Sequence, residues 1–190
     1  MELGAVIKER RSIRKFTGQE VDHDLLEKLL RESLWAPSAM NRQPWKYIVL
    51  QGEALKKFLA FSAGVAEGMD EPLQKQNFDE KMRAFVKGYF RDLGGAPTVV
   101  VCLYKTGMEP VVEHGNLVSG AAAFYNFLLL AQEAGLATCW MTGYLYTGEA
   151  LAALLGVEGY GLVGVTPVGY PAQTPPVPPR RHESIEWRTD

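Results

Sequence analysis

Residues 10–45 read RRSIRKFTGQEVDHDLLEKLLRESLWAPSAMNRQPW, and the rest of the chain is organised around them. The stretch opens with a basic cluster, Arg10, Arg11, Arg14 and Lys15, that has a hydroxyl, Ser12, in its midst. Guanidinium forks with a hydroxyl beside them suit a phosphate monoester, which carries close to two negative charges. Leu25, Leu26, Leu29, Leu30 and Leu34 then recur at helical spacing, with Asp22 as a candidate N-cap. Pro37 ends that helix, because the residue before a proline is pushed out of the α region. The stretch closes on Ser38, Asn41, Arg42 and Gln43, set between prolines in a turn that offers amides and backbone groups. A helical scaffold with cations at one end and amides at the other suggests a small polar ligand.

Upstream, Leu3, Val6 and Ile7 share one face of a short helix leading into the basic cluster. Downstream, residues 46–51 (KYIVLQ) have the β-branched and aromatic character of a strand. A helix follows from Gly52, with Ala54, Leu55, Phe58, Leu59 and Ser62 on one face, and residues 64–73 are expected to form a loop. Helical periodicity returns over 78–93 as a stripe of Met82, Phe85, Val86, Tyr89, Phe90 and Leu93, expected to be core or dimer surface. Gly94 to Pro97 break it. Residues 98–104 (TVVVCLY) form the clearest strand, apolar without alternation and so covered on both faces. After a loop, residues 116–134 form a nearly all-apolar and therefore central helix. Its Gly120, Ala121, Ala122 and Ala123 would admit another backbone, expected to be the same helix of a second subunit. Residues 137–144 are strand or loop, 147–155 a short helix capped by Thr147, and 162–170 a last strand. The proline-dense tail is extended and ends in Arg180 and Arg181. Strands and helices mix without a regular βαβ rhythm, so the fold class is α+β, one domain over 1–190.

An apolar fraction of 47%, a charged fraction of 22% and a net charge of −2 are those of an ordinary globular chain. They give no reason to expect nucleic acid or an anionic membrane as a partner. The N-terminus lacks a secretory signal, and no apolar run reaches the ~20 residues of a membrane span; the expectation is a cytoplasmic protein. Cys102 and Cys139 sit inside apolar runs as structural thiols, and the scattered His23, His114 and His182 make no zinc site. Residues 159–164 (GYGLVG) match G-x-G-x-x-G by letter, but they follow a helix and run toward Pro167 and Pro171. A dinucleotide loop must follow a strand and open a helix, so that reading is rejected. No Ser-His-Asp set or close carboxylate pair is present, and an enzyme of this composition would lean on a bound cofactor.

Taken together, RRSIRKF and APSAMNRQPW resemble the nitroreductase family of FMN-dependent flavoproteins, and the likeness continues through 96–104, LLLAQEAGLATCW (128–140), MTG and VGYP. The resemblance implies an α+β nitroreductase-like fold, with a mostly antiparallel central sheet flanked by helices. It also implies an intertwined homodimer with an extended C-terminal tail and FMN at the subunit interface. On this basis Arg10, Arg11 and Ser12 would hold the FMN phosphate and ribityl end, and Arg14 would lie by the pyrimidine edge. Pro37, Ser38, Ala39 and Asn41 would reach the flavin bound mainly by the other subunit, with Gln43 near. Trp140, Met141, Thr142 and Gly143 would line one side of the ring, and Arg180 with Arg181 would complete the phosphate clamp. Where the family tail often reads K-P-R, this chain has Pro178 in place of the lysine, so the phosphate would lose one cation.

The implied activity is an NAD(P)H oxidoreductase working by ping-pong hydride transfer. NADH or NADPH would reduce FMN, and an electron-poor small-molecule acceptor such as a nitroaromatic or quinone would then take the hydride. FMN N5 would carry it, with no catalytic side chain and no metal. Two alternatives remain: a sibling flavin reaction on the same scaffold (dehalogenation, enone reduction, flavin fragmentation), or a flavin-binding, redox-sensing protein without turnover.

Overall fold

The computed structural model describes residues 2–147, 149–180 and 185–189. Its centre is a four-stranded antiparallel sheet of order β1-β2-β4-β3, formed by β1 (Trp45–Leu50), β2 (Thr98–Lys105), β3 (Ala137–Thr138) and β4 (Tyr160–Gly169). β2 is flanked by β1 and β4 and is buried over its first six residues, as its unbroken apolar run requires. Its side chains alternate between two cores. Val99, Val101 and Leu103 face α3 (Gly52–Glu67), α5 (Glu80–Asp92) and α7 (Glu149–Leu155). Val100 and Cys102 face α2 (His23–Ser33) and α6 (Pro110–Glu133). The expected α+β class and helix-flanked antiparallel sheet are therefore present.

The scaffold helix α2 begins as its sequence predicts, with the Asp22 carboxylate accepting from Leu25 N at 2.8 Å. Leu26 and Leu29 are buried against α6, which crosses behind the sheet. Asp22→Ala is expected to lower stability by about 1 kcal/mol, the usual value of such a cap. A urea midpoint equal to that of the unsubstituted protein would show that the cap contributes nothing.

Four local expectations are corrected. Residues 64–73 are largely helical: α3 continues to Glu67, and α4 (Asp70–Lys75) follows. Gly64 lies on the outer side of α3 while Ala66 continues its buried face, and Pro72 falls within the first turn of α4, where a missing N–H is tolerated. The central helix starts at Pro110 rather than 116, with proline at its first position. Gly120 accommodates no second subunit: a Cβ there would lie 2.8 Å from Val163 Cγ2, so the close approach is to the chain's own sheet. Thr147 lies outside α7, which begins at Glu149; its hydroxyl donates to Tyr144 O within the 3-10 turn Gly143–Thr147.

The GYGLVG segment follows α7 and enters β4, so it has no helix to offer a pyrophosphate. Two of its glycines serve packing instead. A Cβ on Gly161 would strike the Tyr104 ring at 2.6 Å, and one on Gly164 would lie 2.2 Å from Trp140 Nε1.

Candidate functional site

The basic cluster lies along the short edge strand. Ser12 bridges to Thr138 in parallel, Ile13 N donates to Thr138 O at 2.9 Å, and Phe16 bridges to Pro171. This path carries Arg14 past the segment that follows β3. Arg14, Trp140, Met141 and Gly143 consequently line one cavity of about 370 Å³ with Cys139. Its opposite wall comes from α5 and from Phe78, two residues before it: Phe78, Met82, Phe85, Val86, Tyr89 and Phe90. Arg14 is the one charged residue among the described residues of the lining, and its guanidinium carbon stands 6.0 Å from the centroid of the Tyr89 ring. Thr142 is exposed beside this wall. The 3-10 turn that begins at Gly143 leaves its first amides without intrahelical partners, so backbone donors are available there.

Under the cavity floor, Tyr144 is wholly buried and hydrogen-bonds to Ser62, whose hydroxyl lies 2.5 Å from Phe90 O. Burial raises the pKa of both Tyr89 and Tyr144, and the neighbouring Cys139 raises that of Tyr89 further. Both phenols stay protonated near neutral pH. The cavity therefore contains one fixed cation, Arg14, and aromatic walls.

The cations at residues 10–15 do not behave alike. Arg11 turns back on α1 (Leu3–Glu9) and donates to Lys8 O at 2.5 Å and Arg10 O at 2.8 Å. Arg10 Nε is buried and has no acceptor among the described residues. The cations of α2, α3, α4 and α5 that make ion pairs do so with nearby acids, whereas no carboxylate among the described residues pairs with Arg10, Arg14 or Lys15. A net positive field with an unsatisfied buried donor is what a bound anionic group would complete. Arg180 lies in the exposed tail, and Arg181 falls outside the described residues.

The amide end forms a separate concavity of about 470 Å³, lined by Arg31, Leu34, Trp35, Ala36, Asn41 and Gln43. Its turn is strained and heavily braced. Met40, Asn41 and Gln43 all have positive φ (54°, 54° and 47°), a region non-glycine residues seldom occupy. Ser38 Oγ accepts from Gln43 N at 3.1 Å, Gln43 Nε2 donates to Asn41 Oδ1 at 3.0 Å, and Ala39 N donates to Ser119 Oγ on α6 at 3.3 Å. Pro37 and Ala39 are exposed around it. Within one chain, then, Arg14 joins residues 140, 141 and 143, while Asn41 and Gln43 line a different concavity.

Sequence reasoning expected residues 64–93 to shape the substrate mouth but assigned no residue of α5 to it. The apolar stripe of that helix reads as core or dimer surface, and only part of it is core: Tyr89 and Phe90 are buried, while Phe85 is 52% and Met82 45% exposed. A stripe wider than the core can cover was the available signal.

Fold and cavity together define an α+β protein with a cation-edged, aromatic-walled cleft. A model of the Nitroreductase family matches residues 7–170, and the chain belongs to that family. A protein of Archaeoglobus fulgidus provisionally named NADH dehydrogenase/NAD(P)H nitroreductase is 31% identical over 166 residues, covering 85% of this chain and 81% of that protein. The iodotyrosine deiodinase of Nematostella vectensis is 26% identical over 194 residues, covering 95% of this chain and 71% of that protein. Among solved structures, the FMN and NADPH-dependent nitroreductase NfnB from Sphigopyxis sp. strain HMH shares the fold at a TM-score of 0.83 and 22% identity, with 100% of each chain covered.

Proposed function

We propose that this chain is an FMN-dependent NAD(P)H oxidoreductase that reduces electron-poor aromatic acceptors such as nitroaromatics or quinones. The observation that carries this is the cavity in which Arg14 faces the backbone turn at 140–143 beneath an aromatic wall, next to cations that no carboxylate among the described residues pairs. The residues present fit the cofactor: Arg10 has a buried donor awaiting an acceptor, and the walls suit a planar ring. FMN, when bound, supplies the two-electron redox chemistry. The chain's part is to hold and tune it. Arg10, with Ser12 and Arg180, binds the phosphate; Arg11 contributes less, because its guanidinium already serves α1. Arg14 places a fixed positive charge where reduction builds up negative charge, and it needs no reorganisation to do so. The amides near Thr142 and Gly143 donate to the ring edge, and Trp140 and Met141 exclude water from one face.

We assign the amide turn (Pro37, Ser38, Ala39, Asn41 and Gln43) to the flavin of a second copy. Its separation from the Arg14 cavity supports this, as does the apolar surface beside it. Trp35 is 90% and Met40 86% exposed, and Val111, Val118 and Tyr125 recur every seventh residue along an exposed side of α6. A homodimer would cover them. Among the described residues, no helix is long and apolar enough to cross a membrane.

The purified protein is expected to show a flavin spectrum that bleaches anaerobically on addition of NADH or NADPH and returns with a nitroaromatic or quinone. A colourless protein that gains no flavin spectrum when titrated with FMN would refute this function. Flavin that stays oxidised with both nucleotides would leave a flavin-binding, redox-sensing role. The Nematostella relative supports one sibling reaction, reductive dehalogenation. Halide release from a halotyrosine, faster than any nitroaromatic turnover, would favour it.

A further inference from the structure

Two cavities meet on α5. Beyond the one described lies a second of about 610 Å³, between α5, residues 14–16 and the turn at Gly94 and Gly95. Arg14, Phe85 and Tyr89 line both. Tyr89 belongs to the core, at 8% exposure, but Phe85 does not. Truncating Phe85 therefore removes a partition rather than a core contact.

Gly88, one turn nearer the C-terminus of α5, lines the outer cavity. A glycine within a helix of 13 residues costs helix stability relative to alanine. Nothing lies within 4 Å of where its Cβ would be, so packing within the chain does not require it. What its missing side chain does is keep the outer cavity open.

We propose that Phe85 sets the size of the acceptor. With its ring in place, the part of the inner cavity left open beside the bound flavin takes a one-ring acceptor; with the ring gone, a fused polycyclic acceptor extends from that space into the outer cavity over Gly88. This rests on the function proposed above. The charge of the preferred polycycle follows from the lining: Arg14 is common to both cavities and Lys15 adds a second cation to the outer one, while Asp92 already accepts from Gly94 N at 2.8 Å. The outer cavity is thus suited to a neutral or anionic fused aromatic, such as a sulfonated anthraquinone.

The test compares kcat/KM for p-benzoquinone and anthraquinone-2-sulfonate in the unsubstituted holoenzyme, Phe85→Ala and Gly88→Leu. Phe85→Ala is expected to raise the ratio in favour of the anthraquinone by about tenfold, chiefly through KM, and Gly88→Leu to lower it by about as much. Leucine improves the helix propensity of α5, so Gly88→Leu keeps the fold. Titration calorimetry with benzenesulfonate and anthracene-2-sulfonate, neither of them reducible, should move the same way. Both ratios staying at the unsubstituted value in both variants would overturn the assignment. Flavin that neither nucleotide bleaches would count against the proposed function instead, and the calorimetric ratio would still decide the role of Phe85.

Discussion

Replacing Arg10 and Arg180 together by alanine is expected to strip the protein of its flavin. Each charge-assisted contact to a phosphate contributes roughly 1.5–3 kcal/mol, so losing two raises the FMN dissociation constant by about two to four orders of magnitude. Arg10 has the stronger structural case. Its Nε is buried with no acceptor among the described residues, and a bound phosphate would relieve that cost. Arg180 is exposed in the tail, and ordering its side chain on an anion costs rotamer entropy that offsets part of its contact. With proline at 178 where the family often has lysine, Arg181 is the neighbouring cation left to offset its loss. Arg11→Ala serves as the internal control: its guanidinium is held by Lys8 O and Arg10 O, so its loss should weaken FMN far less. Fluorescence titration and flavin absorbance after dialysis report the outcome. Unchanged FMN content in the double variant would refute the clamp.

The parts of this structure that were legible in the sequence are those in which one local signal settles the matter. Asp22 followed by leucines at helical spacing gives α2, and an unbroken apolar run gives β2 as a covered strand. The GYGLVG segment could be set aside because its neighbours were wrong for a phosphate loop, and the structure places a strand there. What was illegible depends on depth or on partners distant in sequence. Gly64 and Pro72 look like breakers, but a glycine on the outer side of a helix costs only about 1 kcal/mol, and a proline in the first turn blocks no interior hydrogen bond. The small residues of α6 announce a close approach without saying to what; for Gly120 it is Val163 of the same chain. The α5 stripe has one periodicity and two uses, core at Tyr89 and Phe90 and cavity wall at Phe85 and Met82. Periodicity gives the face of a helix, not whether that face meets protein or empty space. The two polar ends of 10–45 were legible as chemistry. The resemblance already assigned them to different flavins, and the fold adds that they open into different concavities.

Gly94→Ala is expected to damage both the fold and the site, and the reason is a backbone approach rather than a side chain. Gly94 sits at φ +68°, and a Cβ there would lie 2.1 Å from Arg14 O and 2.7 Å from Arg14 C. No rotamer change can relieve a contact with backbone atoms. The turn is also tied to that strand, since Gly94 O accepts from Phe16 N at 2.9 Å. Alanine must therefore push residues 14–16 away, weaken that hydrogen bond and move Arg14 relative to the 140–143 wall. The left-handed conformation costs about 1–2 kcal/mol for a residue with a Cβ, and forcing atoms into packed space adds about 1–3 kcal/mol. Gly95→Ala separates the two terms. Gly95 has an equally left-handed φ of +75°, but its Cβ would meet nothing nearer than Phe16 O at 3.9 Å, so only the conformational cost applies. The urea midpoint should fall further for Gly94→Ala than for Gly95→Ala, and FMN affinity should drop in the first while holding in the second. Equal midpoints and equal affinities would mean that the Gly94 turn does not press on the Arg14 backbone in solution, and Arg14 would then owe its place in the cavity to the pairing of Ser12 and Ile13 with Thr138 alone.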